Sequence, residues 1–304
     1  MEYVLQTKGL SKRFGNKVAV SRVNLNVRKG DIYGFIGRNG AGKTTMIRLI
    51  SGLAKPSEGS ISLFEQEDLD KQRSKIGTMI ENPAVFPTMT ARQNLHYYCL
   101  LLGLDSKVTI DEMLTLVGLN DTGKKKAKNF SLGMKQRLAI AVAMLDNPEF
   151  LMLDEPINGL DPSGIKEIRE LILKLNKEKN ITILISSHIL GELSRIATRY
   201  GVINNGILVT EFTSEELESR CTGEFEIKVD NVELAVNVLT NIVGITDYRI
   251  MDERTLRIKD TDKAGIINME LAKNGVTVSS SMVVGQDLED YFMQLMEITD
   301  RKMQ

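Results

Sequence analysis

What the chain lacks narrows its class before any motif is read. Of its 304 residues only two are cysteines, Cys99 and Cys221. They form neither a disulfide framework nor a metal-ligand spacing, so both are expected as reduced, unpaired thiols in a cytosolic compartment. No stretch approaches the apolar length needed to span a bilayer, and residues 1–6 lack the basic and apolar regions of a signal peptide. Any membrane role is therefore expected to run through a partner. An excess of one charge is also missing: 39 basic against 40 acidic residues leave a net charge of −1, which makes no electrostatic case for nucleic acid. The length suffices for one large domain and a smaller one.

Against these absences stands one dense motif, Gly37-Arg38-Asn39-Gly40-Ala41-Gly42-Lys43-Thr44, which fits the G-x-x-x-x-G-K-[ST] pattern of a phosphate-binding loop. Glycines let consecutive N–H groups turn inward, and the helix that follows aims its positive end at the same point. Lys43 supplies a point charge for the β- and γ-phosphates and the Thr44 hydroxyl a ligand for Mg²⁺. The flanks agree: residues 31–36 read as a short apolar strand, and Met46, Ile47, Leu49, Ile50 and Leu53 have helical spacing.

Residues 1–30 alternate apolar and polar positions around Gly9, Gly15-Asn16 and Lys29-Gly30, which predicts short antiparallel strands joined by turns. Within them Phe14 reads either as a stacking platform for a purine or as an ordinary half-buried aromatic, and the local sequence favours the second. Residues 76–80 predict a strand ending on Glu81, followed by a proline-bracketed apolar loop through Met89 whose Val85, Phe86 and Met89 either meet a partner or tuck into the core. From Thr90 to Leu119 the pattern is helical, with Leu95, Tyr98, Leu101 and Leu102 on one face; His96 reads as a surface or packing histidine, and Lys124–Lys128 as a solvated loop. Ser131 is a candidate N-cap for a helix carrying Leu138, Ala141, Val142 and Leu145, and this helix start is a second potential anion site.

Residues 150–156 form an apolar run ending in Asp154-Glu155-Pro156. Beside a phosphate-binding loop this is the expected form of a metal carboxylate strand, with Asp154 for Mg²⁺ and Glu155 free as a base. Asp161-Pro162 opens a helix, and the β-branched run 181–186 delivers His188 to a strand's carboxyl end. Ligands of open parallel sheets bind beyond those ends, which places Gly37, Glu81, Asp154 and His188 at one edge. Asn205-Gly206 marks a hairpin turn. After a composition shift at residues 213–216, residues 224–304 read strand, helix, strand, strand, helix, strand and a final helix (Leu288, Tyr291, Phe292, Leu295), a small ferredoxin-like split unit without a catalytic constellation.

Taken together, the phosphate-binding loop, the Ser131 helix start, the Asp154-Glu155 strand and His188 resemble the nucleotide-binding subunit of an ATP-binding cassette (ABC) transporter, over about residues 3–215. The resemblance implies a P-loop NTPase cassette of residues 1–215: an α/β fold with a mixed sheet core, an antiparallel β subdomain and a helical subdomain at about residues 90–145. An accessory α+β domain of residues 216–304 follows it. It implies ATP and Mg²⁺ as ligands, held by Gly37, Arg38, Asn39, Gly40, Ala41, Gly42, Lys43, Thr44 and Thr45, with Phe14 stacking on adenine, which reverses the local reading. Thr44, Asp154 and Glu81 are then the metal contacts, and Glu155, His188, Lys43 and Glu81 the catalytic group, with residues 158–161 linking two sites across a dimer.

Two positions depart from the family pattern. Phe130-Ser131-Leu132-Gly133-Met134 stands where the family has Leu-Ser-Gly-Gly-Gln, keeping Ser131 and Gly133 for the opposite subunit's γ-phosphate. Glu81 stands where the family has a glutamine, and a carboxylate binds a cation but donates no hydrogen bond unless protonated. Both substitutions resemble the bacitracin-resistance and lantibiotic-immunity exporters, which pair a separate ATPase chain with a separate ABC-2-type permease. The implied function is an ATPase dimer on the inner face of the cell membrane that powers export of antimicrobial peptides or other drugs. The loop from Glu81 to Met89 would receive the permease. A soluble cassette ATPase acting on nucleic acid or the ribosome is the alternative, but neither a second cassette nor a long coiled-coil insertion is present. A nucleotide sensor without turnover is a third reading, against which Glu155 and His188 argue.

Overall fold

The computed structural model describes residues 2–81, 84–221, 223–259, 262–284, 288, 291–293, 295 and 296, excepting the side chains of 106–109, 220 and 221. The chain opens with an antiparallel sheet of β1 (Tyr3–Phe14), β2 (Lys17–Val23) and β3 (Asn26–Arg28), in the order β2-β1-β3. The expected turn at Gly9 is not made. β1 runs through Gly9 in one strand of 12 residues, and the glycine's positive φ is absorbed by shifts in pairing register. A bulge keeps both flanks on the ladder where a turn would end it.

β4 (Ile32–Ile36) leads into α1 (Lys43–Ile50), after which β5 (Glu58–Leu63) returns to pair with β1. Leu53, predicted to continue α1, lies beyond its end and is 70% exposed, because the helix stops at Ile50 and the chain turns at Gly52. Next come α2 (Leu69–Arg73) and β6 (Ile76–Met79). The helical region follows as α3 (Ala91–Leu102), α4 (Ser106–Leu116) and α5 (Leu132–Ala143). α3 buries Ala91, Asn94, Leu95 and Cys99, whereas Leu101 and Leu102, predicted for its packed face, are exposed. The buried set is spaced i, i+3, i+4, i+8, and Leu101 and Leu102 fall outside that stripe. Cys99 is free and buried, and the Cys221 side chain lies outside the described residues.

β7 (Phe150–Asp154), α6 (Pro162–Lys179), β8 (Thr182–Ser187), α7 (Leu190–Leu193), β9 (Arg199–Asn204) and β10 (Ile207–Thr213) complete a six-stranded sheet of order β10-β9-β4-β8-β7-β6. Only the hairpin strand β10 runs antiparallel. Its turn, Asn205-Gly206, has positive φ at both residues, as a type I′ turn demands. β4, β7 and β8 are buried at every position, which is why apolar residues dominate them, with Asp154, Thr182, Ser186 and Ser187 as buried polar exceptions. Beneath the phosphate-binding loop, the Tyr33 hydroxyl on β4 donates to Glu211 at 2.6 Å. Burial first and the Glu211 carboxylate second push that phenol well above its usual pKa, so it stays a donor.

The chain divides into two compact units at Ser214–Glu215. The second begins within α8 (Ser214–Cys221) and contains β11 (Glu224–Val229), α9 (Val232–Val238), β12 (Tyr248–Ile250), β13 (Thr255–Ile258), α10 (Ala264–Lys273) and β14 (Val278–Val284). Its antiparallel sheet has the order β12-β13-β11-β14, the ferredoxin-like arrangement that the βαββαβ pattern predicts. Phe225, Ile227, Leu256 and Ile258 pack with Ala235, Val238, Ile267 and Leu271 as a core of its own. The final helix predicted around Leu288 falls partly outside the described residues.

Candidate nucleotide site

Strand register builds the site. Ile36 at the end of β4 pairs with Ser187 on β8, and Ser186 pairs with Asp154 on β7. Three loops therefore leave the sheet side by side at its carboxyl edge, carrying the phosphate-binding loop, Glu155 and His188. The loop is braced from both sides: Gly37 N–H donates to the Ser187 carbonyl at 3.2 Å, and Gly206 N–H donates to the Ala41 carbonyl at 2.9 Å.

At the loop's end Gly42 caps α1 with φ of 111°, and a Cβ there would stand 2.7 Å from the Ala19 carbonyl oxygen. Neither the conformation nor the space admits a side chain. Gly42→Ala is expected to cost about 1–3 kcal/mol of stability from the backbone conformation alone and to weaken nucleotide binding in parallel. Thermal unfolding with and without ATP checks both.

Lys43 is 5% exposed. Its ammonium donates to the Gly37 carbonyl at 2.6 Å and the Arg38 carbonyl at 3.2 Å, and pairs with Glu155 Oε1 at 3.1 Å. The other Glu155 oxygen, Oε2, lies 2.8 Å from His188 Nδ1. Three residues far apart in the chain thus meet around one carboxylate, and its two partners are the groups expected to face a γ-phosphate.

Asp154, 1% exposed, accepts from the Thr44 hydroxyl at 2.7 Å through Oδ2 and from the Ser186 hydroxyl through Oδ1. A buried carboxylate beside a hydroxyl is a hard oxygen set that fits Mg²⁺, an ion commonly held by one or two protein oxygens together with substrate phosphates. When bound, the ion supplies positive charge to the phosphate oxygens.

A cleft of about 790 Å³ opens over the loop, lined among others by Phe14, Asn39, Gly40, Gly42, Lys43, Thr44, Thr45 and Glu155. Phe14 is exposed at one end, with the Lys12 ammonium 5.0 Å from its ring centroid. Lys17, Val18 and the Asn205-Gly206 turn line the same cleft. Nothing in the sequence assigned these residues to the site, because only the pairing of β1 with β2 and the β9–β10 hairpin bring them there.

Other predicted residues stand apart. Ser131 is the N-cap of α5, exposed, accepting from Met134 N–H at 3.2 Å, and with Gly133 lies outside the lining of the cleft. Gly133 packs toward Gly164 and Leu160, so residues 158–161 and the start of α5 adjoin one another. Glu81 has a positive φ of 57° and forms an ion pair at 2.7 Å with Arg48, one turn along α1 from Thr44. Asn82 and Pro83 lie outside the described residues. From Ala84 the loop is pinned to α3, since Asn94 accepts from Phe86 N–H at 2.7 Å and the Tyr98 hydroxyl donates to the Ala84 carbonyl at 2.7 Å. Phe86 is 36% exposed and meets Tyr97 edge-on at 4.7 Å between ring centroids.

Comparison with known proteins places the chain in a family. The ABC transporter family matches residues 20–158. The bacitracin transport ATP-binding protein BcrA of Bacillus licheniformis is 42% identical, covering 97% of this chain and 98% of its own length. The lantibiotic transport ATP-binding protein SrtF of Streptococcus pyogenes is 41% identical over 68% of this chain and 90% of its own. Among solved structures, cbiO1 of Clostridium perfringens, described as part of an ABC transporter complex, superposes with a TM-score of 0.66 at 25% identity, covering 80% of this chain and 97% of its own. A bacterial ABC transporter cassette solved as a dimer gives 0.62 at 27% identity, covering 69% and 98%. With its loop, carboxylate strand and histidine assembled at one sheet edge, the chain belongs to the ABC transporter family, as an ATP-hydrolysing, Mg²⁺-using subunit that serves a membrane permease.

Proposed function

We propose that two copies of the cassette close head to tail, each ATP lying between one phosphate-binding loop and Ser131 and Gly133 of the partner subunit, and that closure drives export of antimicrobial peptides through a separate permease on the cytoplasmic face of the membrane. The observation that carries the reading is the meeting of Lys43, Glu155 and His188 beside the Thr44–Asp154 pair. In hydrolysis the oxygen of water bonds to the γ-phosphorus while the bond to the β–γ bridging oxygen breaks, and ADP leaves. Glu155 orients that water and takes its proton, Lys43 offsets charge on the phosphate, His188 holds the γ-phosphate, and Phe14 stacks on adenine. Residues 37–45 cradle the phosphates, and Thr44, Asp154 and Glu81, the last now paired with Arg48, would hold the metal, which would supply positive charge to the phosphate oxygens. Residues 1–215 form the catalytic domain, and residues 216–304 an accessory one.

The exported class rests on the bacitracin and lantibiotic relatives. The permease is assigned to the loop from Glu81 to Met89, whose Phe86 forms an aromatic cluster with the exposed Tyr97 and the half-buried Tyr98. A helix from the permease would cover this apolar surface. Phe86→Asp tests the assignment by placing a charge in the contact. It is expected to lower recovery of the permease in copurification by at least about tenfold while the isolated subunit hydrolyses ATP within about twofold of wild type. Unchanged copurification would remove the loop as the docking site.

A further inference from the structure

Ser186 belongs to none of the motifs that carry the nucleotide chemistry, yet its single hydroxyl meets both halves of it. It sits on β8, fully buried, opposite Asp154 in the register. Its Oγ donates to Asp154 Oδ1 and accepts from Glu155 N–H at 3.0 Å, and the Ser186 carbonyl lies 3.2 Å from that same N–H. Asp154 therefore has each carboxylate oxygen held by one hydroxyl, Oδ1 by Ser186 and Oδ2 by Thr44. Glu155 adopts φ of 51°, a left-handed backbone that a residue other than glycine keeps only where its surroundings over-determine it. The N–H held by Ser186 is the bond at that strained residue.

The same strand end carries the remaining contacts. The Ser187 carbonyl accepts from Gly37 N–H at 3.2 Å, and His188 Nδ1 meets Glu155 Oε2 at 2.8 Å. Residues 186–188 thus touch the metal carboxylate, the base and the phosphate-binding loop in three consecutive positions.

We infer that Ser186 is a positioning residue for ATP hydrolysis, one hydroxyl that sets the direction of the Asp154 carboxylate and the backbone of Glu155 together. The inference rests on the roles proposed for Asp154 and Glu155. Outer-sphere partners of this kind are commonly worth 10- to 100-fold in metal affinity or activity, whereas a hydroxyl that served packing alone would act through stability.

The full chain carrying Ser186→Ala is compared with wild type in kcat, KM for ATP, the Mg²⁺ concentration giving half-maximal rate, and unfolding temperature. The expected result is a fall in kcat of roughly 10- to 100-fold and a severalfold rise in the Mg²⁺ midpoint, with KM for ATP within about threefold. A kcat within about twofold of wild type, or a loss of kcat matched by a loss of ATP affinity and of unfolding temperature, would overturn it. Should the alanine chain be insoluble, Ser186→Cys keeps the size, replaces the hydroxyl by a weak donor and is judged by the same readouts. Glu155→Gln alone and combined with Ser186→Ala separates this inference from the assignment of the base. Full turnover in Glu155→Gln removes the base role but leaves the Mg²⁺ midpoint as a test of the Asp154 contact. With Glu155→Gln inactive, an unmoved Mg²⁺ midpoint in Ser186→Ala overturns the Ser186 inference and spares the base.

Discussion

Glu155→Gln is expected to lower steady-state phosphate release by roughly 10²- to 10⁴-fold while ATP stays bound and the closed dimer accumulates. The substitution keeps the side chain's size and removes its charge and its ability to take a proton. Glu155 now bridges Lys43 at 3.1 Å and His188 at 2.8 Å. With an amide there, the buried Lys43 ammonium keeps its bonds to the Gly37 and Arg38 carbonyls but loses its anionic partner. A triphosphate supplies the missing charge, so binding should survive the loss of turnover. Phosphate release and size-exclusion chromatography with ATP and Mg²⁺ read the two effects separately. Undiminished turnover would remove Glu155 as the base.

Ser131→Arg is expected to abolish hydrolysis, by at least about 10²-fold, with binding of ATP to the isolated subunit within about threefold of wild type. Ser131 is exposed at the first turn of α5, away from the cleft that holds Phe14, Lys43 and Glu155. Its own subunit's nucleotide should therefore be indifferent to it. In the closed pair a long cation at that position replaces the small hydroxyl and the helix N-terminus that would face the partner's γ-phosphate. Mixing the variant with a Glu155→Gln chain gives a further reading, because one of the two sites in such a heterodimer keeps both an intact base and the partner's intact Ser131 while the other keeps neither, so about half of wild-type turnover or less, rather than none, is expected if the sites are completed in trans. Full activity of Ser131→Arg homodimers would argue against a site completed in trans.

Local chemistry explains which parts of this molecule were legible before its structure. The phosphate-binding loop declares itself because glycines, lysine and threonine must follow one another within eight positions, and strand and helix periodicity flank them. β7 and β8 were readable because a strand buried on both faces is mostly apolar, with its polar residues gathered here chiefly at the carboxyl end. The ferredoxin-like order of the second unit followed from alternating periods. Sequence failed where the answer depended on what lies opposite. Gly9 looks like a turn and is a bulge, because β5 and β2 hold both edges of β1 in one strand. Leu101 and Leu102 look like core and are exposed, because the packed stripe of α3 runs through Leu95 and Cys99. Phe14 reads locally as an ordinary aromatic, yet it lines the cleft.

The eight residues from Gly37 to Thr44 by themselves predict a phosphate site, and Asp154-Glu155 predict a metal carboxylate and an acid at the end of a buried strand, since each depends on neighbours along the chain. Which carboxylate oxygen faces Lys43, that His188 reaches the other, that one serine hydroxyl joins Asp154 to Glu155, and that Ser131 stands outside the cleft were decided only in three dimensions. Parallel register places Ile36 beside Ser187 and Asp154 beside Ser186, and no property of those segments taken singly contains that alignment. It arises because strands far apart in the chain must bury their apolar faces in one sheet.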